Sequence, residues 1–311
     1  MEINNQVSGK IFDIQGFSVH DGPGARTLIF MKGCTLNCFW CSNPEGISHT
    51  NVPLYYSFKC IGCGQCLKAC THSAINLKEG KIKIDRDICK ICSDYTCIEN
   101  CYADALRICG RNISVDELFS IIQRDRQFWG DSGGITLTGG EPLLQVGFVS
   151  DILAKCYHAS IHIAVETCGH VPWENFKRTI AYLDWIFFDL KHVDPKRHKT
   201  GTGKDNTDII ENVKKLNENY LGRVVFRMPY IPGYNSSNEN LEGTARLISE
   251  TKWKEINLLP LHHLGSEKYR SLGLEYRGNV YSVPSPRDLI KAKDIFEKFG
   301  IACFIGDDTL F

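Results

Sequence analysis

Seven short apolar runs, rich in β-branched and aromatic residues, recur at 27–31, 134–138, 162–166, 185–189, 224–228, 255–259 and 301–305. Most are closed by a polar residue or a glycine, the pattern of buried parallel strands. Between them, apolar residues return at helical spacing in 148–157, 173–183, 209–220, 238–251 and 287–299. Ser114 followed by Glu117 reads as a capping box opening one more helix, through Ile122. Strands alternating with helices predict βαβ units and a mostly parallel sheet. Six such units predict an α/β fold built as a partial (β/α)6 barrel.

One segment breaks this rhythm. Residues 51–108 hold only short strand patterns, such as 81–84, and are crowded with cysteine. They read as a small inserted domain that cannot build a core alone and needs a cofactor to hold it. The barrel is then discontinuous, formed by 1–50 and 109–311.

Composition narrows the chemistry. The 311 residues carry 36 Lys plus Arg against 36 Asp plus Glu, so a basic nucleic-acid binder is excluded. No run approaches the roughly 18–20 apolar residues that span a bilayer, so no membrane partner is expected. The polar start Met1-Glu2-Ile3-Asn4-Asn5 has no signal-peptide design, which predicts a cytoplasmic protein. A cytosol is reducing, so the 15 Cys are not read as disulfides. Eight of them fall between Cys60 and Cys101, which points to metal or iron–sulfur ligation.

In parallel α/β architectures the reacting groups gather at the C-terminal ends of the strands. Those ends carry Cys34, Gly139-Gly140-Glu141, Glu166-Thr167, Asp189 with Lys191, Arg227 and His262. One shared site on that face follows. Cys34, Cys38 and Cys41 are spaced C-x3-C-x2-C after the first strand. Three thiolates on a tight loop can hold three irons of a 4Fe-4S cubane and leave the fourth open to a chelating ligand. A three-Cys zinc site completed by another residue is the alternative.

The run Cys38-Phe39-Trp40-Cys41 resembles the signature loop of radical S-adenosylmethionine (SAM) enzymes. The flanking Phe17-Ser-Val-His-Asp21-Gly-Pro-Gly24-Ala-Arg26-Thr27 and Cys41-Ser-Asn-Pro-Glu45 are similar to the activating enzymes of glycyl radical enzymes. The resemblance implies an oxidoreductase of anaerobic life. Its open iron would bind the methionine part of SAM, and reductive cleavage would give a 5′-deoxyadenosyl radical that takes hydrogen from a backbone Gly of a partner glycyl radical enzyme. It also implies a flavodoxin- or ferredoxin-type electron donor. Residue by residue, it puts Trp40 near the adenine, and Gly139, Gly140 and Glu141 at the SAM amino group. Asp189 and Lys191 would meet the ribose and the methionine carboxylate. His262 would lie at the nucleoside, with His263 as the register alternative, and Arg227 at SAM or the partner peptide. Asp21 would face the incoming Gly loop. Glu166-Thr167 stands where the family has Asp-Thr, which can share a monovalent cation site, and the longer Glu departs from that pattern.

Cys60-x2-Cys63-x2-Cys66-x3-Cys70 matches the bacterial ferredoxin run, and Cys89-x2-Cys92-x4-Cys97-x3-Cys101 is a widened copy. In two-cluster ferredoxins the fourth Cys serves the other cluster. That resemblance implies one 4Fe-4S cluster on Cys60, Cys63, Cys66 and Cys101 and a second on Cys89, Cys92, Cys97 and Cys70, three clusters in all. The alternative is a pair of zinc ribbons. Cys109, Cys156, Cys168 and Cys303 lack ligand spacing and read as small buried hydrophobes, with Cys168 close to the expected site. Gly201-Thr-Gly203 hints at phosphate binding without a full P-loop. Among long-form activating enzymes, the 89–101 spacing and the stretches 255–260 and 300–306 are most similar to the branch serving arylacetate decarboxylases. Two other readings stay open: a radical SAM enzyme acting on a small molecule or another peptide, and an iron–sulfur electron-transfer protein.

Overall fold

The apolar runs become strands because their alternate residues meet two different environments. The computed structural model describes residues 7–78 and 81–308; the polar N-terminal pentapeptide lies outside them. The described strands are β1 (Ser8–Ser18), β2 (Arg26–Met31), β3 (Val52–Tyr55), β4 (Ile75–Lys78), β5 (Lys81–Ile84), β6 (Leu106–Cys109), β7 (Arg111–Ser114), β8 (Gly134–Gly139), β9 (His162–Thr167), β10 (Trp185–Asp189), β11 (Arg223–Tyr230), β12 (Glu255–Pro260) and β13 (Ala302–Ile305). Nine of them form one open sheet in the order β13-β12-β11-β10-β9-β8-β2-β1-β7. β2 and β8 through β13 run parallel, so all seven sequence-predicted strands join one sheet.

β1 and β7, which the hydrophobic pattern missed, add an antiparallel edge beside β2. Only alternate positions at the start of β1 are buried, and its second half is half-buried or exposed, so it lacks the continuous apolar run of a central strand.

One face of the sheet carries Ile29, Leu137, Ile163, Val165, Ile186, Phe188, Val224, Phe226, Ile256 and Leu258, all 2 % exposed or less, and packs on the helices through Leu118, Ile152, Leu153, Leu216, Ile248 and Phe296. Each such side chain contributes roughly 1.5–3 kcal/mol by leaving water. The opposite face presents Thr136, Thr138, Glu166, Asp189, Arg227 and Asn257, with a small apolar patch of Ala164, Phe187 and Val225 beneath. The period-2 alternation therefore separates a dry core from a polar inner face.

The helices follow the predicted order with local corrections. Ser114 Oγ accepts from Glu117 N at 3.1 Å, but the Glu117 carboxylate pairs with Arg111 at 2.7 Å, so the reciprocal half of the capping box is missing. A full capping box stands instead at Ser285 and Asp288. The helix expected over 173–183 is broken into Trp173–Lys177 and a 3-10 turn at Ile180–Tyr182.

Within 51–108, β3 pairs with β6 and β4 with β5. The buried apolar core here is Ile75, Ile82 and Leu106, surrounded by Cys60, Cys66, Cys70, Cys97 and Cys101. So small an apolar core leaves half-buried thiols packed directly around it, beside Tyr55, Leu67, Ile84 and Ile98.

Candidate active site

The three-Cys loop leaves β2 and is pinned on three sides. Gly33 N–H donates to Gly46 O at 2.7 Å and Cys34 N–H to Ile47 O at 3.0 Å, while Glu141 N–H donates to Gly33 O at 2.7 Å. Farther along, Asn37 N–H donates to Thr202 O at 2.7 Å and Phe39 N–H to Gly201 O at 3.0 Å. Thr35 Oγ1 donates to His170 O at 3.0 Å. These bonds correct the phosphate hint at 201–203. The segment ends the helix Pro195–Thr202, and its carbonyls receive the loop's N–H groups, leaving no donor cradle for an anion.

Two backbone N–H groups aim at loop sulfurs, Leu36 at Cys34 Sγ and Asn43 at Cys41 Sγ, both at 3.4 Å. Burial pushes the Cys38 thiol up and the Cys41 thiol up to about 11, with the nearby Lys191 ammonium opposing both. A hydrogen bond from the Cys168 thiol pulls Cys34 down. Tetrahedral zinc would hold its sulfurs about 4 Å apart. Among the described residues, only His72, Cys92 and Asp94 bring three ligand atoms within 4.8 Å of one another. The Cys34, Cys38 and Cys41 sulfurs are not such a group. Bound metal would deprotonate these thiols and remove the burial cost that keeps them neutral.

β8 ends directly against this loop. Gly139 has φ +105°, and a Cβ there would lie 2.6 Å from Met31 N; a Cβ on Gly140 would lie 2.8 Å from Gly33 C. Both positions therefore require glycine. Glu141 is fully buried. Its carboxylate accepts from Leu143 N at 3.1 Å, Cys168 N at 2.8 Å and Thr167 Oγ1 at 2.9 Å. Burial raises its pKa in spite of these donors. Asp189 and Lys191 pair at 2.6 Å, on the same side as alternation predicts. Burial works against the Lys191 charge, but Asp189 and the Cys38 and Cys168 groups hold its pKa above the usual lysine value.

Glu166 is bound on both oxygens: Thr138 Oγ1 donates to one at 2.6 Å, and Arg227 Nη1 makes a short ion pair with the other. Arg227 also lies 3.8 Å from Asp21 Oδ1, donates to His20 O at 3.2 Å and stacks 3.9 Å over the Phe187 ring. Burial lifts Glu166 to about 7; Arg227 opposes the shift and Asp21 adds to it. Asp21 and Glu166, far apart in sequence, thus share one guanidinium.

The aromatic positions divide. Trp40 is buried against Phe39 at 4.6 Å and Tyr234 at 5.2 Å, and Phe39 stacks on Tyr281 at 4.5 Å. His262 is exposed, and among the described residues its one hydrogen bond is accepted by its carbonyl from Tyr276 Oη at 3.4 Å. His263 is half-buried beside Tyr276, with Nδ1 unpartnered. Cys168, read from the sequence as a small hydrophobe close to the expected site, sets its thiol against both Cys34 and Glu141.

In the insert, thiols gather across the two runs. Burial, then Cys101 and Cys60, raise Cys66. Burial, then Cys70, Cys89 and Cys92, raise Cys97 to about 11. Ala74 N–H donates to Cys70 Sγ at 3.2 Å and Leu106 N–H to Cys101 Sγ at 3.3 Å. Cys63 lies exposed on its loop, and the widened spacing after Cys92 accommodates Asp94, whose Oδ1 is 3.1 Å from Cys92 Sγ.

Comparison with known proteins follows this geometry. The radical SAM superfamily profile matches residues 28–248. Over the full length of both chains, the sequence is 40 % identical to the 4-hydroxyphenylacetate decarboxylase activating enzyme of Clostridioides difficile (strain 630). It is 37 % identical to the indoleacetate decarboxylase activating enzyme of Tractidigestivibacter scatoligenes, over 97 % of this chain and 99 % of that one. It is 39 % identical to the isethionate sulfite-lyase activating enzyme of Oleidesulfovibrio alaskensis, over 86 % and 88 %. A radical SAM methyltransferase from Sphaerobacter thermophilus shares the fold, with TM-score 0.50 and 15 % identity over 90 % of this chain and 66 % of that one. No helix among the described residues is long and apolar enough to cross a membrane.

Proposed function

We propose, from the premise that this chain belongs to the radical SAM superfamily and to its group of activating enzymes, that it installs a glycyl radical on an arylacetate decarboxylase of the 4-hydroxyphenylacetate type. The observation that carries this reading is the convergence of the Cys34/Cys38/Cys41 loop, Glu141 and the Asp189–Lys191 pair at one end of the parallel sheet, in a chain that matches such an enzyme end to end. When bound, a 4Fe-4S cluster supplies one electron to the SAM sulfonium, which yields methionine and the 5′-deoxyadenosyl radical.

The chain's own residues do the rest. Cys34, Cys38 and Cys41 hold the cluster and leave one iron free for SAM. Glu141, buried and hydrogen-bonded on its carboxylate, accepts the SAM ammonium beside the bare backbone of Gly139 and Gly140. Lys191 meets the methionine carboxylate, and Asp189 the ribose hydroxyls. Trp40 closes the adenine side. Glu166, fixed by Thr138 and Arg227, lines the inner face beside SAM, with Thr167 behind it on Glu141. Asp21, on the far side of Arg227, meets the partner's Gly loop, whose Cα hydrogen passes to the 5′-carbon to leave 5′-deoxyadenosine and a glycyl radical. His262 closes over the nucleoside from its exposed position when SAM arrives.

Cys60, Cys63, Cys66 and Cys101 hold one auxiliary 4Fe-4S cluster, and Cys89, Cys92, Cys97 and Cys70 the other. The gathering of Cys66 with Cys101 and of Cys97 with Cys70 supports this crossed assignment. Four ligands would close each site, so clusters held there would carry electrons, with a flavodoxin- or ferredoxin-type protein as the donor, and would bind no substrate. The location is the reducing, anaerobic cytoplasm.

The test is anaerobic incubation with dithionite and SAM, with and without 4-hydroxyphenylacetate decarboxylase. Methionine and 5′-deoxyadenosine should form, and a glycyl radical should appear by electron paramagnetic resonance when the decarboxylase is present. SAM cleavage without a radical on the decarboxylase would remove this partner. Indoleacetate decarboxylase and isethionate sulfite-lyase are the matched comparisons.

A further inference from the structure

The loop carrying Asp21, residues 19–25, has no apolar anchor. Val19 is exposed, and the rest is His20-Asp-Gly-Pro-Gly-Ala25. Two of its glycines sit at positive φ, Gly22 at +133° and Gly24 at +64°. Such a segment has no intrinsic reason to hold a carboxylate in one place.

The Asp21 carboxylate accepts from Ser18 Oγ and faces Arg227, which also donates to His20 O, while a side chain just outside the loop ties the loop backbone to the sheet. Arg26 is fully buried. On one side its guanidinium bonds the starts of two strands: Nη2 donates to Ile135 O and His162 O, the latter at 3.3 Å, and lies 3.2 Å from His162 Nδ1. On the other side it holds the loop. Nη1 donates to Pro23 O at 3.0 Å, and Nε donates to Thr136 Oγ1 at 2.7 Å. Thr136 Oγ1 in turn donates to Asp21 O at 2.8 Å. Gly22 lies so close that a Cβ there would come within 2.9 Å of Arg26 Cδ. Burial lowers the Arg26 pKa to about 10, so the fork stays charged at neutral pH. Among the described residues Arg26 makes no direct ion pair, although Asp184 and Asp21 lie near enough to favour its charge; its donors go to carbonyls, a hydroxyl and an imidazole. A buried charge spent this way fixes geometry more than it adds stability.

We infer that Arg26, through Thr136, is a positioning residue for Asp21: it ties the loop backbone to the starts of β8 and β9 and so sets where the carboxylate, already held by Ser18 and Arg227, meets the partner's glycine. This rests on the partner-facing role proposed for Asp21. The fork geometry matters as well as the charge, so lysine replaces it only in part.

The test uses the anaerobic holoenzyme with 4-hydroxyphenylacetate decarboxylase as probe. Arg26→Gln, Arg26→Lys, Thr136→Val and Asp21→Asn are compared for glycyl radical formation, for SAM cleavage without partner, and by crystal structure. Arg26→Gln should lose about 10- to 100-fold in radical formation, the cost of roughly 1 Å of misplacement. Its partner-free SAM cleavage should stay within about twofold, because Arg26 touches none of the SAM candidates. Arg26→Lys should recover part of the loss. Thr136→Val, which keeps the buried charge, should lose several-fold and show the Asp21 carbonyl released from β8. The Arg26→Gln/Asp21→Asn double variant should be no worse than Asp21→Asn alone. Unaltered loop coordinates in Thr136→Val, or wild-type radical formation in both Thr136→Val and Arg26→Gln while Asp21→Asn is impaired, overturns the inference and spares the Asp21 reading. An Asp21→Asn variant as active as wild type sinks that reading instead, whatever the crystal structures show of the loop.

Discussion

Gly201→Ala probes how the Cys34–Cys41 loop is held. A Cβ at 201 would lie 2.8 Å from Tyr234 Cε2 and closer still to the phenol oxygen, well inside the about 3.5–4.0 Å of an ordinary carbon contact. Tyr234 cannot swing away. Its ring packs on Phe39 at 5.3 Å, Trp40 at 5.2 Å and His192 at 5.5 Å, and its hydroxyl donates to Arg197 O at 3.2 Å. The end of the helix Pro195–Thr202 must therefore retreat, at about 1–3 kcal/mol for overpacking. The same retreat stretches the bonds from Phe39 N–H to Gly201 O and from Asn37 N–H to Thr202 O, about 1 kcal/mol each. The sum of about 3–5 kcal/mol predicts a Tm lower by roughly 5–8 °C for a chain of this size. Because Cys38 lies between the two anchored residues, partner-free SAM cleavage should fall about 10- to 100-fold. Differential scanning calorimetry and anaerobic SAM cleavage measure the two effects. Gly147→Ala, in open space within the helix Val146–His158, is the neutral control. Normal Tm and cleavage in Gly201→Ala would show that the helix end does not clamp the loop.

Four further outcomes follow from the same geometry. Cys38→Ala should abolish SAM cleavage and remove about one third of the bound iron, leaving the insert clusters visible by electron paramagnetic resonance. Cys70→Ala should disturb the cluster on Cys89, Cys92 and Cys97 more than that of its own run, read as a selective loss of one auxiliary signal. Arg227→Met leaves the half-buried Glu166 without its cation, so that it takes up a proton, and should cost about 1–3 kcal/mol in thermal unfolding together with the loss of glycyl radical formation. Glu166 is raised in the folded chain to about 7, so its contribution to stability is most favourable below the ordinary carboxylate range and is lost as pH climbs through about 7. Wild-type Tm should therefore fall more between pH 5 and 8 than that of Glu166→Gln, and equal slopes would refute the assignment.

The parallel core was legible because it is written locally. Continuous apolar runs mark strands buried on both faces, and the seven predicted from them are all present. β1 and β7 were missed because their pairing is between segments about a hundred residues apart, and neither carries a run long enough to declare itself. The helix over 173–183 was overcalled by periodicity, because a helical repeat of apolar residues also fits a short helix followed by a tight turn. Among the site residues, the loop thiols, the Gly-Gly-Glu turn and the Asp189–Lys191 pair are short-range patterns, and the structure keeps each together. His262 was placed at the nucleoside by resemblance, and its ring stands exposed.

Local sequence fixes what a few neighbouring residues can do: three thiols on one turn, a bare backbone ahead of a carboxylate, alternation that puts an acid and a base on one side. It does not fix which distant groups share a charge or a sulfur. That Asp21 and Glu166 divide one guanidinium, that Cys168 touches Cys34, and that Arg26 holds a loop through Thr136 arose only when the sheet brought strands from across the chain within a few ångströms of one another. Burial then made those contacts strong, because charges and thiols taken out of water must find their partners inside the protein.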